Sequence, residues 1–320
     1  MRPIVSVIIP TCDRVHFLRR ALESVLNQSF SDFEIIVVDD HSRDGTLEFL
    51  KNIRDKRIRF ISRHDRGGGS AARNTGIASA KGEYLAFLDD DDVWHERKLQ
   101  RQFEIMQRCP EVGLVYTGTV KVYQDNGRVF RTTIPQHRGD IFKHLLARNV
   151  IGTTSSVMVR RIAIEGIGGF DESFPSCQDW DLYLRLSKLW PVDFVGEPLV
   201  DYYLHPVRIT RNEVSRIKGR RMILEKFRSE IDGDRQILSE HYVALGRLCC
   251  QAGQYSEGQR MLIRAVQGNP CNVEAYKHLL PVLFGGGLYW RILSMQRQFK
   301  TRLFRRYRLA WQEKGQSHDE

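Results

Sequence analysis

Paired cysteines, long apolar runs and the common glycine signatures of nucleotide binding are all missing from this 320-residue chain. Its six cysteines, Cys12, Cys109, Cys177, Cys249, Cys250 and Cys271, never form a CxxC pair, which excludes a zinc ribbon, a thioredoxin-type motif and a secreted disulfide framework. A reducing cytoplasm fits that usage. No stretch approaches the ~20 apolar residues that a bilayer-crossing helix needs. The longest uncharged run near the C-terminus, Leu279 to Trp290, is far shorter and contains three glycines. The N-terminal Met1–Pro10 carries one basic residue and no small-residue cleavage site, so it reads as a first strand rather than a leader. No GxGxxG follows that strand and no GxxxxGK[ST] occurs, which removes support for hydride transfer and for P-loop hydrolysis. RNP, KH and zinc-finger signatures of nucleic-acid binding are absent as well.

What is present is an ordinary globular balance, 42% hydrophobic and 28% charged, in a chain long enough for two domains. The net charge of +10 points on its face to nucleic acid or an anionic membrane. Its distribution changes that reading: residues 1–207 carry 28 Lys and Arg against 28 Asp and Glu, whereas residues 208–320 carry 21 against 11. The densest part sets Arg297, Lys300, Arg302, Arg305, Arg306 and Arg308 among Phe299, Leu303, Phe304, Tyr307, Leu309 and Trp311. Such a basic amphipathic pattern suits an anionic membrane surface or a solvated helix packed on its own domain.

Apolar periodicity organises the first half. Val5–Pro10, Ile35–Val38, Ile58–Ile61 and Tyr84–Leu88 are short strand-like runs, separated by helical spacing at Phe17–Leu26 and Leu47–Leu50 and by a small-residue helix over Ala71–Ala80. Four successive βα units predict a parallel sheet with helices on its faces. Beyond Trp94 a helix carrying Leu99, Phe103 and Met106 stops before Pro110. Strand-like pieces at 112–116 and 154–159 then alternate with irregular segments. From about residue 213 the chain turns helical. Tyr242, Leu245, Gly246, Gly253, Ala265 and Pro270 there loosely match one tetratricopeptide unit, which reads best as a helical hairpin.

In an open parallel sheet, ligands sit outside the carboxyl ends of the strands. Thr11-Cys12-Asp13 ends the first strand, Asp39-Asp40 the second and Asp89–Asp92 the fourth, so acids converge on one rim. Four consecutive aspartates repel one another unless a cation offsets them. Capping the next helix accounts for one or two of them, not four. Hard carboxylate oxygens suit Mg²⁺ or Mn²⁺, ions that are usually shared with substrate phosphates.

The motifs together resemble the family 2 glycosyltransferases. They are Ser6–Thr11 with Asp13-Arg14, Gln28-Ser29-Phe30, Glu34–Thr46, Ala72-Arg73-Asn74-x-Gly76, Gly82–Trp94, Gly168-Gly169-Phe170-Asp171 and Gln178-Asp179-Trp180-Asp181-Leu182, and they cover about two thirds of the chain. The resemblance implies an α/β GT-A domain over 1–212. Residues 1–94 form its nucleotide-sugar-binding half and 95–212 its acceptor-side half, with a basic helical appendage over 213–320. It implies inverting transfer of one sugar from a nucleotide sugar, UDP-linked by preference, to an acceptor hydroxyl of a polysaccharide, lipopolysaccharide or lipid-linked glycan at the cytoplasmic face of a membrane. By the same resemblance Thr11, Asp13, Asp39, Asp40, Arg73, Asn74, Asp89 and Asp90 face the nucleotide sugar, Asp40 bonding the uracil edge. Asp91 and His205 hold a divalent metal, Mn²⁺ or Mg²⁺, and Asp179 is the base.

Gln178 stands where relatives more often carry Glu. Asp179 and Asp181 also suit helix capping. Trp180 is a stacking surface for the acceptor or a core aromatic. No QxxRW element follows Asp179, which implies single-sugar transfer. The contrasting expectation is a catalytically silent GT-A module whose helical tail does the work.

Overall fold

The computed structural model describes residues 2–205, 212–292 and 295. The basic amphipathic segment 297–311 lies outside the described residues. The chain divides into two compact units, 1–223 and 224–320.

The first unit opens as the periodicity predicts. β1 (Val5–Thr11), α1 (Val15–Leu26), β2 (Phe33–Asp39), α2 (Thr46–Lys51), β3 (Ile58–Ser62), α3 (Gly68–Ser79) and β4 (Tyr84–Phe87) alternate along the chain. Every residue of β1, β2 and β4 is buried, the mark of central parallel strands covered on both faces. Ile8, Ile9, Ile35, Ile36, Leu85 and Phe87 are fully inaccessible, and such side chains contribute about 1.5–3 kcal/mol each on burial.

Next come β5 (Val93–Trp94), α4 (Lys98–Arg108), β6 (Leu114–Tyr123), β7 (Val129–Thr133) and α5 (Phe142–Ala147). A 3₁₀ turn (Thr154–Ser156), β8 (Val157–Arg160), α6 (Arg161–Gly166), α7 (Gln178–Ser187), β9 (Val192–Leu204) and the greater part of α8 (Glu213–Lys226) complete the unit. All strands join one sheet in the order β3-β2-β1-β4-β8-β6-β9-β5, with β7 on β6. β3, β2, β1 and β4 run parallel, β8 is antiparallel to both its neighbours, and β6 pairs parallel with β9. The alternating half thus continues as a mixed sheet instead of dissolving into irregular segments. The piece expected as a strand over 154–159 splits, its first three residues making the 3₁₀ turn.

β9 is invisible to periodicity because Gly196, Glu197 and Pro198 interrupt it. The sheet tolerates Pro198 through register shifts between Thr117 and Thr119, where Gly118 lets the chains close up: a Cβ there would lie 2.5 Å from the Thr133 carbonyl oxygen.

The second unit is helical. α9 (Arg228–Ile231), α10 (Arg235–Gln251), α11 (Tyr255–Gly268) and α12 (Val273–Leu283) follow in order. Asp234 caps α10 through the N–H groups of Gln236 and Ile237, and Asn272 caps α12. The α10–α11 hairpin crosses at two glycines, where a Cβ on Gly246 would meet the Gly258 carbonyl oxygen at 3.0 Å. No described helix is long and apolar enough to cross a membrane.

Candidate active site

The carboxyl ends of β1, β2 and β4 share one rim, and the acids after β4 are each held differently. Asp90 is buried and accepts from the Thr11 hydroxyl at 2.8 Å and Arg14 Nη1 at 3.1 Å. Burial raises its carboxyl to about 7, with Arg14 opposing that rise and Asp91 adding to it. Asp91 accepts from Arg14 at 3.3 Å, and His205 Nε2 lies 2.7 Å from its Oδ2. Asp92 accepts from the Ser155 hydroxyl at 2.6 Å. Asp89 pairs with Arg73, accepts from the Thr154 hydroxyl at 3.2 Å, and donates its own N–H to Ser155 Oγ at 3.1 Å.

Asp89, Asp91 and Asp92 place one carboxylate oxygen each within 4.8 Å of one another. Three hard oxygen donors at that separation fit a divalent cation of the Mg²⁺ or Mn²⁺ type. Asp90, turned toward Thr11 and Arg14, stands outside the group. His205 also stands outside it and reaches the group through Asp91.

The far wall is the β2–α2 and β3–α3 loops. Asp40 accepts the N–H groups of Gly67 at 3.0 Å and Gly68 at 2.7 Å and pairs with Arg63 at 3.0 Å, which fixes the start of α3. Asp39 is fully buried, accepting from the Ser42 N–H and the Ser62 hydroxyl, so its carboxylate shapes the loop from beneath. Asp13, at φ 55°, sits on the exposed lip, where Arg66 and the Arg43 N–H hold it. Asn74 commits both ends of its amide to the main chain of Phe170, at 2.9 Å each way, and also reaches Glu172 at 2.8 Å. That clamp fastens the turn at Gly168 and Gly169, whose φ values of 75° and 72° require glycine. Asn74 therefore builds the rim's edge.

α7 supplies the third component. Asp179 stands in its first turn, accepting the Trp180 N–H at 2.8 Å and the Asn149 side-chain amide at 3.1 Å. Enclosure raises its carboxyl to about 6, opposed by the Trp180 N–H and the Arg73 charge. Arg73, bonded to Asp89 and acting on Asp179, lies between the two acidic centres.

Trp180 is buried; its indole N–H donates to the Leu145 carbonyl at 2.7 Å and the Arg220 guanidinium covers the ring at 5.0 Å. Of the two readings of Trp180, stacking surface or core aromatic, its burial favours the second. Asp181 is fully buried against Arg185, which donates to it from Nε at 2.8 Å.

Arg14, Asn149, Thr154 and Ser155 were not singled out by the sequence for roles they hold here. The hydroxyl run Thr153–Ser156 was the available signal, and short-range pattern gives no reason to set it against acids more than 60 residues away.

The sheet order and the helices on its faces are those of the GT-A fold. Residues 1–349 of S. aureus TarS in complex with UDP-GlcNAc share the fold, with a TM-score of 0.66 at 18% identity, covering 92% of this chain and 91% of that one. The model of glycosyl transferase family 2 matches residues 6–167, and the chain belongs to that family. An uncharacterised glycosyltransferase of Rickettsia felis is 30% identical over 209 residues, 63% of this chain, and this chain spans 34% of that relative. The Escherichia coli UDP-Glc:alpha-D-GlcNAc-diphosphoundecaprenol beta-1,3-glucosyltransferase WfgD is 32% identical over 186 residues, 58% of this chain and 70% of the relative.

Proposed function

We propose that the chain transfers a single sugar from a UDP-sugar to an acceptor hydroxyl, with inversion, in the synthesis of a cell-surface or lipid-linked glycan at the cytoplasmic side of a membrane. The observation that carries this reading is the pairing of two acidic centres across Arg73: the Asp89, Asp91, Asp92 group on one side and the enclosed Asp179 on the other. TarS with its UDP-GlcNAc and the diphospholipid acceptor in the name of the E. coli relative support the donor and acceptor classes.

Asp89, Asp91 and Asp92 would hold Mn²⁺ or Mg²⁺, which when bound supplies charge neutralisation at a departing nucleoside diphosphate. His205 fixes the orientation of Asp91. Thr11 and Arg14 orient Asp90 toward the ribose or sugar, and Asp13, Asp39 and Asp40 line the nucleoside end. Asp179 takes the acceptor proton at the carboxylate oxygen that Asn149 bonds, or at its neighbour, as the hydroxyl attacks the face opposite the leaving group. A carboxyl raised to about 6 is ionised at neutral pH and more basic than an ordinary aspartate, which suits that task.

Calorimetric titration of the chain with UDP, GDP and TDP, each with Mn²⁺ and then with EDTA, tests the donor side without knowledge of the acceptor. Metal-dependent preference for UDP is the expected result; no nucleotide binding in any arm overturns the reading.

A further inference from the structure

Basic charge that this chemistry does not use gathers in the stretch that leads up to Asn149, the residue bonded to Asp179. Residues 127–149 contain five Lys or Arg, namely Arg128, Arg131, Arg138, Lys143 and Arg148, with His137 and His144 among them, against a single acid, Asp140. That imbalance lies inside a stretch, 1–207, whose charges cancel overall, so the rest of the stretch is net acidic.

The one acid is occupied locally, accepting the Phe142 N–H at 3.1 Å. Arg138 stacks over Phe194 at 4.5 Å and lies 3.7 Å from Asp193. The His137 and His144 rings meet edge to face with centroids 4.4 Å apart. His137 is fixed from behind, its carbonyl accepting from the Tyr116 hydroxyl at 2.9 Å. Burial, His144 and Arg148 together hold its imidazole below the usual histidine range, so all three groups share one neighbourhood. Among the described residues, no carboxylate pairs with His137, His144 or Arg148. By contrast Arg14, Arg57, Arg59, Arg63, Arg66 and Arg73 in the same unit each face an acid.

Position gives the cluster its meaning. The Arg148 N–H donates to the His144 carbonyl at 3.2 Å, closing the end of α5. The next residue is Asn149, whose amide nitrogen bonds the carboxylate of Asp179. We propose that His137, His144 and Arg148 form an anion subsite beside Asp179 that holds a phosphate or carboxylate of the acceptor.

The inference rests on the transferase reading for the word acceptor, while the anion site itself rests on the cluster alone. Three side chains that offer nitrogen donors and face no carboxylate among the described residues leave those donors for an oxyanion to take up. Arg148 offers a planar fork suited to phosphate or carboxylate, and the imidazoles become double donors when protonated.

The test is calorimetric titration of the full chain, saturated with UDP and Mn²⁺ so that the donor site is filled. The probes are N-acetylglucosamine 1-phosphate, glucuronic acid and the neutral methyl glycoside of N-acetylglucosamine. An anionic sugar is expected to bind more tightly than the neutral one. Arg148→Ala, and separately the His137→Ala/His144→Ala double variant, should each weaken anionic binding about tenfold, as loss of a charged hydrogen bond does. UDP affinity should stay unchanged, which reports an intact fold. The better of the two anionic probes tells phosphate from carboxylate. Equal binding of charged and neutral sugars, no binding of any, or wild-type affinity in Arg148→Ala overturns the subsite. Lost UDP binding with anionic binding intact would instead overturn the transferase reading and leave the subsite standing.

Discussion

At Asp179, burial and chemistry pull against each other. Enclosure raises its carboxyl from 3.8 to about 6, so the folded chain holds that proton more tightly than the unfolded chain does. The stability gained this way is full below the unfolded value and is lost as pH rises through about 6. The stability of Asp179→Asn relative to the wild chain should therefore shift in the variant's favour between pH 5 and pH 8, measured by urea unfolding at each pH. Transfer needs the ionised form, so its rate should rise with pH through about 6 and level off above. Asp179→Asn should lose about 10²–10⁴-fold in transfer while keeping UDP affinity; normal turnover would send the search for the base elsewhere. Asp91→Asn should abolish the gain in UDP affinity that Mn²⁺ brings. His205→Ala, which removes the group orienting Asp91, should lower metal affinity by about 10–100-fold with metal-free UDP binding unchanged. The acids were legible because runs of Asp directly after apolar strands are rare and costly. Their partners were not: Arg14, Asn149, Thr154 and Ser155 are common residues whose significance lies in contacts between distant segments.

At the scale of elements, β1, β2 and β4 announced themselves because a parallel strand covered on both faces must be apolar throughout. β9 did not, since Pro198 and Gly196 break the run and only the paired register shifts in β6 make room for them. β7 is exposed along its whole length and has no core-facing pattern to read. The contact between β1 and the entry to β4 is tight enough to test. A Cβ on Gly82 would lie 2.5 Å from the Ser6 backbone nitrogen and 2.8 Å from the Val5 carbonyl carbon, neither of which can swing aside. Gly82→Ala should cost about 1–3 kcal/mol, read from the urea midpoint.

For the whole molecule, every residue assigned to the site lies in the unit spanning 1–223, and the helical unit has its own buried set around Cys250, Leu262 and Tyr289. Gly246→Ala, whose new methyl would sit 2.6 Å from Leu262 Cγ, should destabilise the α10–α11 hairpin in a thermal melt followed by circular dichroism and leave UDP affinity as it was. The helical character of this part and its charge excess were legible from composition and spacing. The two compact units part after Ile223, eleven residues past the division expected after residue 212, and Gly219 packs with its α-carbon against Ser176 just ahead of α7, which ties the start of α8 to the first unit. The contact between His205 and Asp91 joins residues 114 apart, and that between Thr11 and Asp90 joins residues 79 apart. Pairings of such long range carry a loop-closure cost that local contacts do not. On a ribosome the four aspartates would emerge long before the histidine that steadies one of them.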